Sequence, residues 1–190
     1  IKINKDNIMD LTGQIIVSMP ALQDERFYRT VIYICAHSPE GSMGIIINKK
    51  IDYDLYPDLL EQLGINKMNN KKIFIRYGGP VESGRGFVLH SDDLVRKESL
   101  FISKGVALTS TAEFFDDLIA NKGPKHSLLA LGYAGWGPGQ LENEIRQSSW
   151  TNLKIDSSFL FNEQVSGKWK EAYNMLGINP LNLSIFTGRA

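Results

Sequence analysis

At 190 residues with 43% hydrophobic composition, the chain can bury one ordinary core, and 1–190 is expected to be a single domain whose first ten or so residues carry little structural weight. Lysine plus arginine and aspartate plus glutamate stand at 21 each, which excludes a global field drawing the protein to nucleic acid or an anionic membrane. A single cysteine, Cys35, excludes an internal disulfide framework; no apolar run nears the roughly 20 residues of a membrane span, no signal-peptide order opens the chain, and a cytoplasmic protein is expected.

The chain starts on Ile1, as a trimmed start would. Gln14 to Met19, ended by Pro20, and the β-branched and aromatic run Thr30 to His37 read as strands. Pro39-Glu40-Gly41-Ser42 has turn composition, and Gly44 to Asn48 resumes the strand pattern, which makes a hairpin. Leu55, Leu59, Leu60 and Leu63 recur at helical spacing and stop at Gly64. Lys72 to Tyr77 and Arg85 to His90 predict strands around Gly78-Gly79-Pro80, and Ser99 to Leu108 a strand or a hairpin broken at Gly105.

Ser110-Thr111-Ala112-Glu113 matches a capping box, followed by a helix to about Asn121 with Phe114, Phe115, Leu118 and Ile119 on one stripe. Leu128 to Tyr133 predicts a strand that enters a glycine turn, and Leu141 and Ile145 stack on the helix which that turn opens. Leu153 to Phe161 reads as further strand. Val165, Trp169, Ala172, Tyr173 and Leu176 define a last helix ended by Gly177, and the tail after Pro180 reads as irregular. Strand pairs alternate with isolated helices without a βαβ repeat, so the expected class is α+β with a mixed sheet.

The segment Gly132 to Ile145 is the first candidate site. Gly135, Gly137 and Gly139 leading into a helix can aim several N–H groups at an anion, or can let a strand turn closely under a helix while Trp136 plugs the core. The second reading is the expected one, and a methyl at Gly137 is expected to destabilise the fold. Gly78 and Gly79 before Pro80 suggest a constrained corner, which forms a backbone-lined pocket with the first turn if the two meet. Gln140 and Glu144, four apart on one helix face, can line a cleft with His90 or Asn48, or face water; Glu142 and Arg146 read as a surface pair. Cys35 and His37, two apart on a strand, can share a face and activate the thiol, although an inert buried cysteine is the commoner case.

His37, His90 and His126 lack metal-ligand spacing, no cofactor fingerprint is present, and no G-x-S-x-G elbow appears, so neither metal, cofactor nor catalytic residue is assigned. Lysines 49, 50, 67, 71 and 72 cluster around Asn69 and Asn70 without a DNA-binding signature and read as a solvated loop.

Ser18-Met19-Pro20, Phe27 with Arg29-Thr30-Val31, His37 through Glu40-Gly41-Ser42-Met43-Gly44 to Asn48, Gly78-Gly79-Pro80-Val81, Gly86 with Leu89-His90, and Gly132 through Ile145 together closely resemble the YqgE/AlgH family of bacterial proteins. The likeness continues through Trp150 and Trp169 to Gly188; Ser18 and Ser42 stand where that family usually has Ala, and Thr30 where it usually has Ser. The resemblance implies branching mixed sheets with a small barrel-like element surrounded by helices. It brings a transcriptional-regulator label and no catalytic residues. Two functions are open: a non-enzymatic protein that binds a small ligand or protein partner, or a hydrolytic or thiol-dependent enzyme built on Glu144, His90 or the Cys35 and His37 pair.

Overall fold

A computed structural model describes residues 9–22, 24–52, 58–62, 75–162 and 164–186. Among them nine strands form one curled sheet: β1 (Gln14–Ser18), β2 (Val31–Ser38), β3 (Gly41–Ile46), β4 (Ile75–Tyr77), β5 (Val81–His90), β6 (Leu100–Ser103), β7 (Val106–Thr109), β8 (Ser127–Trp136) and β9 (Trp150–Lys154). Their order is β6-β7-β5-β8-β3-β2-β1-β9, antiparallel throughout, and β4 joins β8 in parallel. The helices are short: α1 (Leu59–Gln62), α2 (Ala112–Ile119), α3 (Gln140–Arg146), α4 (Ser157–Phe161), α5 (Lys168–Met175) and α6 (Pro180–Phe186). The fold is α+β. The predicted helix start at Leu55, its stop at Gly64, the first residues of the strand expected from Lys72, and Lys67 to Lys72 lie outside the described residues.

Continuous apolar runs such as Ile15-Ile16-Val17 and Leu128 to Leu131 are unusual in antiparallel strands, which commonly leave one face in water. Here both faces are covered. Ile15, Val17, Tyr33, Ile45, Phe87 and Ala130 point inward, where Leu160, Trp169 and Tyr173 from α4 and α5 close the core. Alternate residues point outward: Ile16, Ile32, Ile46 and Trp136 lie with Leu141 of α3, and Val88, Leu129 and Leu131 lie with Phe114 of α2. In these central runs alternate residues therefore enter one or the other of two buried layers.

β8 holds the sheet together. Its first half pairs with β5 through Leu128 to Leu131, and its last residues pair with β3 through Ala134 to Trp136. β5 pairs with β8 again at Tyr133, whereas β4, paired through Leu129 to Leu131, gives way to β3 from Ala134; Gly132, at a φ of 72° that favours glycine, lies at this change. The glycine turn expected after Tyr133 is thus strand as far as Trp136, and only Gly137-Pro138-Gly139 turns.

Three further expectations are corrected. The run Leu153 to Phe161 stops being strand at Lys154: Asp156 takes an extended N-cap conformation, Phe159 N–H donates to its carbonyl, and Phe159-Leu160 enters the core from a helix. A short apolar run fits either element, and length alone does not decide it. The tail after Pro180 is helical; Pro180 occupies the first position and the Asn179 side chain accepts from Leu181 N–H at 3.0 Å. The capping box does not form as such. Thr111 is the N-cap of α2 without a side-chain bond, and Ser110 Oγ instead accepts from Arg85 Nη2 at 3.2 Å.

Candidate functional site

The Gly78-Gly79 corner packs directly on Ala130 to Ala134 of β8 and not on the Gly135 to Gly139 turn, so the two turns do not form the expected pocket. A β-carbon on Gly79, at φ 153°, would overlap the Tyr133 carbonyl, and one on Gly78 would overlap the Gly132 carbonyl. Gly78 N–H donates to Leu131 O at 2.7 Å, and Gly78 O accepts from Ile46 N–H at 2.8 Å, so this corner is stitched to both neighbours. Gly137 is different. It is exposed, its φ is not positive, and a β-carbon would approach only Gln140 Oε1, at 3.9 Å. The expected intolerance of Gly137 is therefore corrected; the positive φ sits at Gly139, at 70°.

On the polar face of α3, Glu144 is half-buried while Gln140 stays exposed. Glu144 Oε2 accepts from the indole N–H of both Trp136 and Trp150, each at 2.9 Å, and Oε1 accepts from Gln140 Nε2 at 3.0 Å. Gln140 Oε1 accepts in turn from Gly137 N–H at 3.0 Å. These three bonds occupy most of the carboxylate's roughly four acceptor sites, fix two buried indoles and pin the turn, which is an architectural use of Glu144. Glu142 does not pair with Arg146 as expected; its Oε1 lies 3.2 Å from His37 Nε2.

The other candidates are dispersed. His90 is fully buried against Phe114, donates from Nδ1 to Ser91 O at 2.9 Å and accepts at Nε2 from Thr109 Oγ1 at 2.8 Å; burial lowers its pKa. Asn48, just past β3, ties that segment to the entry of β2, accepting from Val31 N–H at 2.9 Å and donating to Arg29 O at 2.9 Å. Neither lies with Glu144. Cys35 is buried in the inner core, and desolvation pushes its thiol pKa up, away from a reactive thiolate. It does not share a face with His37, because a bulge between Ile34 and Ala36 shifts the alternation. His37, its side chain 1% exposed, meets Ser42 Oγ at 2.8 Å and the α3 carboxylate instead. Among the described residues no group of three or more His, Cys, Asp or Glu side chains is placed to hold a metal.

Of the candidate residues only Gly135 and Trp136 line a groove, of about 800 Å³, that opens beside the end of β8. One wall is Ser38 to Met43 from the β2–β3 hairpin; another is Val81, Glu82 and Arg85, which follow the Gly78-Gly79-Pro80 corner; Tyr133, Gly135 and Trp136 form the third. The opening arises where β5 leaves β8: Val81 pairs with Tyr133 and the next matched pair is Gly86 with Leu131, so Glu82 to Arg85 bow outward. The floor is the mouth of the inner core, with Met43, Phe87 and Leu108, and the Phe87 and Tyr133 rings meet edge to face at 5.8 Å. Arg85 rests over Phe87 at 5.1 Å and reaches Glu82 at 3.5 Å. The sequence reading singled out the turns and passed over Met43, Phe87, Arg85 and Leu100. Its available signal was the spacing of the motif blocks themselves, since three blocks far apart in the chain supply the walls.

The fold and these motif positions define an AlgH-like protein: the AlgH-like family model matches residues 15–181, and the chain belongs to that family. The chain is 44% identical over 189 residues to a UPF0301 protein of Rhodopseudomonas palustris, covering 95% of this chain and 87% of the other. It is 41% identical to one of Cereibacter sphaeroides, covering 96% and 100%. The solution structure of AlgH from Pseudomonas aeruginosa superposes with a TM-score of 0.76 at 30% identity, over 99% of this chain and 98% of that one. A crystal structure from Corynebacterium diphtheriae, 19% identical with a TM-score of 0.67 over 94% and 92%, shares the fold. None of these names states a reaction or a ligand. No helix among the described residues is long and apolar enough to cross a membrane.

Proposed function

We propose that this chain is a binding protein of the bacterial cytoplasm that captures a small ligand or a protein segment in the groove over Met43, Phe87 and Leu108, and that it works without catalysis. A regulatory role, as the family's label suggests, would follow from such capture. One observation carries the reading: three motif blocks distant in sequence converge on one apolar-floored groove of about 800 Å³, a size that suits ligand capture. The enzyme reading finds no support of that kind, since Glu144, His90 and Asn48 spend their polar atoms on internal bonds and Cys35 is buried.

Gly135 provides the test. It is exposed on β8 at the groove, and a β-carbon there meets only the Tyr133 ring, at an ordinary 3.5 Å. Gly135→Leu should fill the groove and leave the core alone. In a ligand-observed magnetic resonance screen of neutral apolar fragments, hits on the native protein should weaken at least tenfold in this variant while the thermal midpoint stays within a few degrees. Hits of equal affinity in both proteins would contradict the proposal.

A further inference from the structure

The groove differs from a simple pocket in having strand edges beside it. Among the described residues β6 pairs only with β7, so one edge of β6 offers unpaired backbone groups. β1 pairs with β2 at Val31, Ile32 and Tyr33, and Gly13 N–H donates to Ile34 O at 2.8 Å; beyond that bond the β1 side of β2 has no strand partner among those residues. Leu100 of β6 and Ala36 and Ser38 of β2 all line the groove, while the Tyr33 hydroxyl meets Ser103 Oγ at 2.8 Å where the two strands come together. The groove is therefore the unclosed part of a seam between two strands.

Its chemistry is lopsided. Leu100 and Phe101 are 48% and 67% exposed on a short edge strand, a placement that proteins commonly avoid or cover. Around the apolar floor stand three carboxylates, Glu40, Glu82 and Glu98, against one cation, Arg85, and that cation is already paired with Glu82. Glu40 and Glu98 are left without an opposing charge among the groove residues.

Resting on the binding function proposed above, we infer that the groove's occupant is an extended segment of a partner protein that adds as a strand along β6, placing alternate apolar side chains over Leu100 and Phe87 and flanking lysines or arginines beside Glu40 and Glu98. A strand added to β6 lies about 4.8 Å beyond it and supplies main-chain hydrogen bonds regardless of sequence. Side-chain selection then comes from the apolar floor and the acidic rim, with the charge pairing contributing to capture rate and specificity.

The probe is a short acetylated peptide alternating valine and lysine, with its valine and glutamate counterpart as control, titrated into the full chain and followed by fluorescence anisotropy and by amide hydrogen exchange. The lysine peptide should bind at least tenfold tighter than the glutamate peptide, lose at least tenfold in the double variant Glu40→Lys with Glu98→Lys, and slow exchange at Leu100 to Ser103. Failure of the lysine peptide to bind, equal binding of the two peptides, or binding without slowed exchange at β6 would overturn it. Neutral fragments separate the two readings. If they still bind the native chain and not Gly135→Leu, the groove stands and only the strand partner is wrong; if they too fail, both are.

Discussion

Two regions built from the same stretch of chain behave in opposite ways. On the α3 side of β8, Trp136, Glu144, Trp150 and Gln140 form a closed set in which two indole N–H groups and one amide end on a single carboxylate. On the groove side of the same strand, Tyr133 and Gly135 face an open space whose one arginine covers Phe87 and makes an exposed ion pair worth little to stability. A strand exposes alternate residues to opposite faces, so one motif can carry the fold on one face and leave the other free to bind. The density of glycines and tryptophans in this segment therefore reports mostly on the first face, while the second is where a ligand fits.

The sharpest way to break the comparison is through the glycines. Gly79→Ala should cost more than about 3 kcal/mol, and a thermal midpoint should fall by ten degrees or more or the chain should fail to fold, because its methyl has only the Tyr133 and Ala134 backbone to enter. Gly137→Ala, in the same family of motif glycines, should change the midpoint by no more than a degree or two, since nothing lies near it but a glutamine side chain. Equal losses in the two variants would erase the distinction between the packed corner and the open turn.

A smaller effect is expected at the closed set. Glu144→Ala strands two largely buried indole N–H groups and frees Gln140, which should cost about 2–4 kcal/mol, read as a lower urea midpoint with altered tryptophan fluorescence. Glu144→Gln, which keeps one acceptor oxygen, should lose less. A neutral Glu144→Ala would show that the carboxylate is free for chemistry after all.

Much of the fold was legible because burial on both faces leaves long apolar runs, and Ile15 to Val17, Val31 to Ile34 and Leu128 to Leu131 announce themselves. The misreadings share one cause, that local pattern does not specify partners. Phe159-Leu160-Phe161 suits strand or helix, and the start signal formed by Asn179 and Pro180 was outweighed by a weakly periodic tail. The bulge at Cys35 could not be read from composition, yet it alone separates the thiol from His37. The groove was half visible: Ser38 to Met43, Val81 and Tyr133 to Trp136 belong to motif blocks, but Phe87 and Leu100 look like ordinary core or strand residues until the bow at Glu82 to Arg85 uncovers them.

The smallest perturbation, and the most direct test of the central claim, is to leave the protein unmutated and map where neutral apolar fragments bind. A second cavity of about 790 Å³, lined by Gly13, Gln14, Ser103, Lys104 and Ser157 among others, offers an internal comparison of nearly equal size with a more polar wall. Amide chemical shifts recorded during the titration should move together at Ser42 to Gly44, Val81 to Arg85 and Tyr133 to Trp136, and stay still at Gly13, Gln14 and Ser103 to Gly105. Shifts confined to the second cavity, or to neither, would contradict the account.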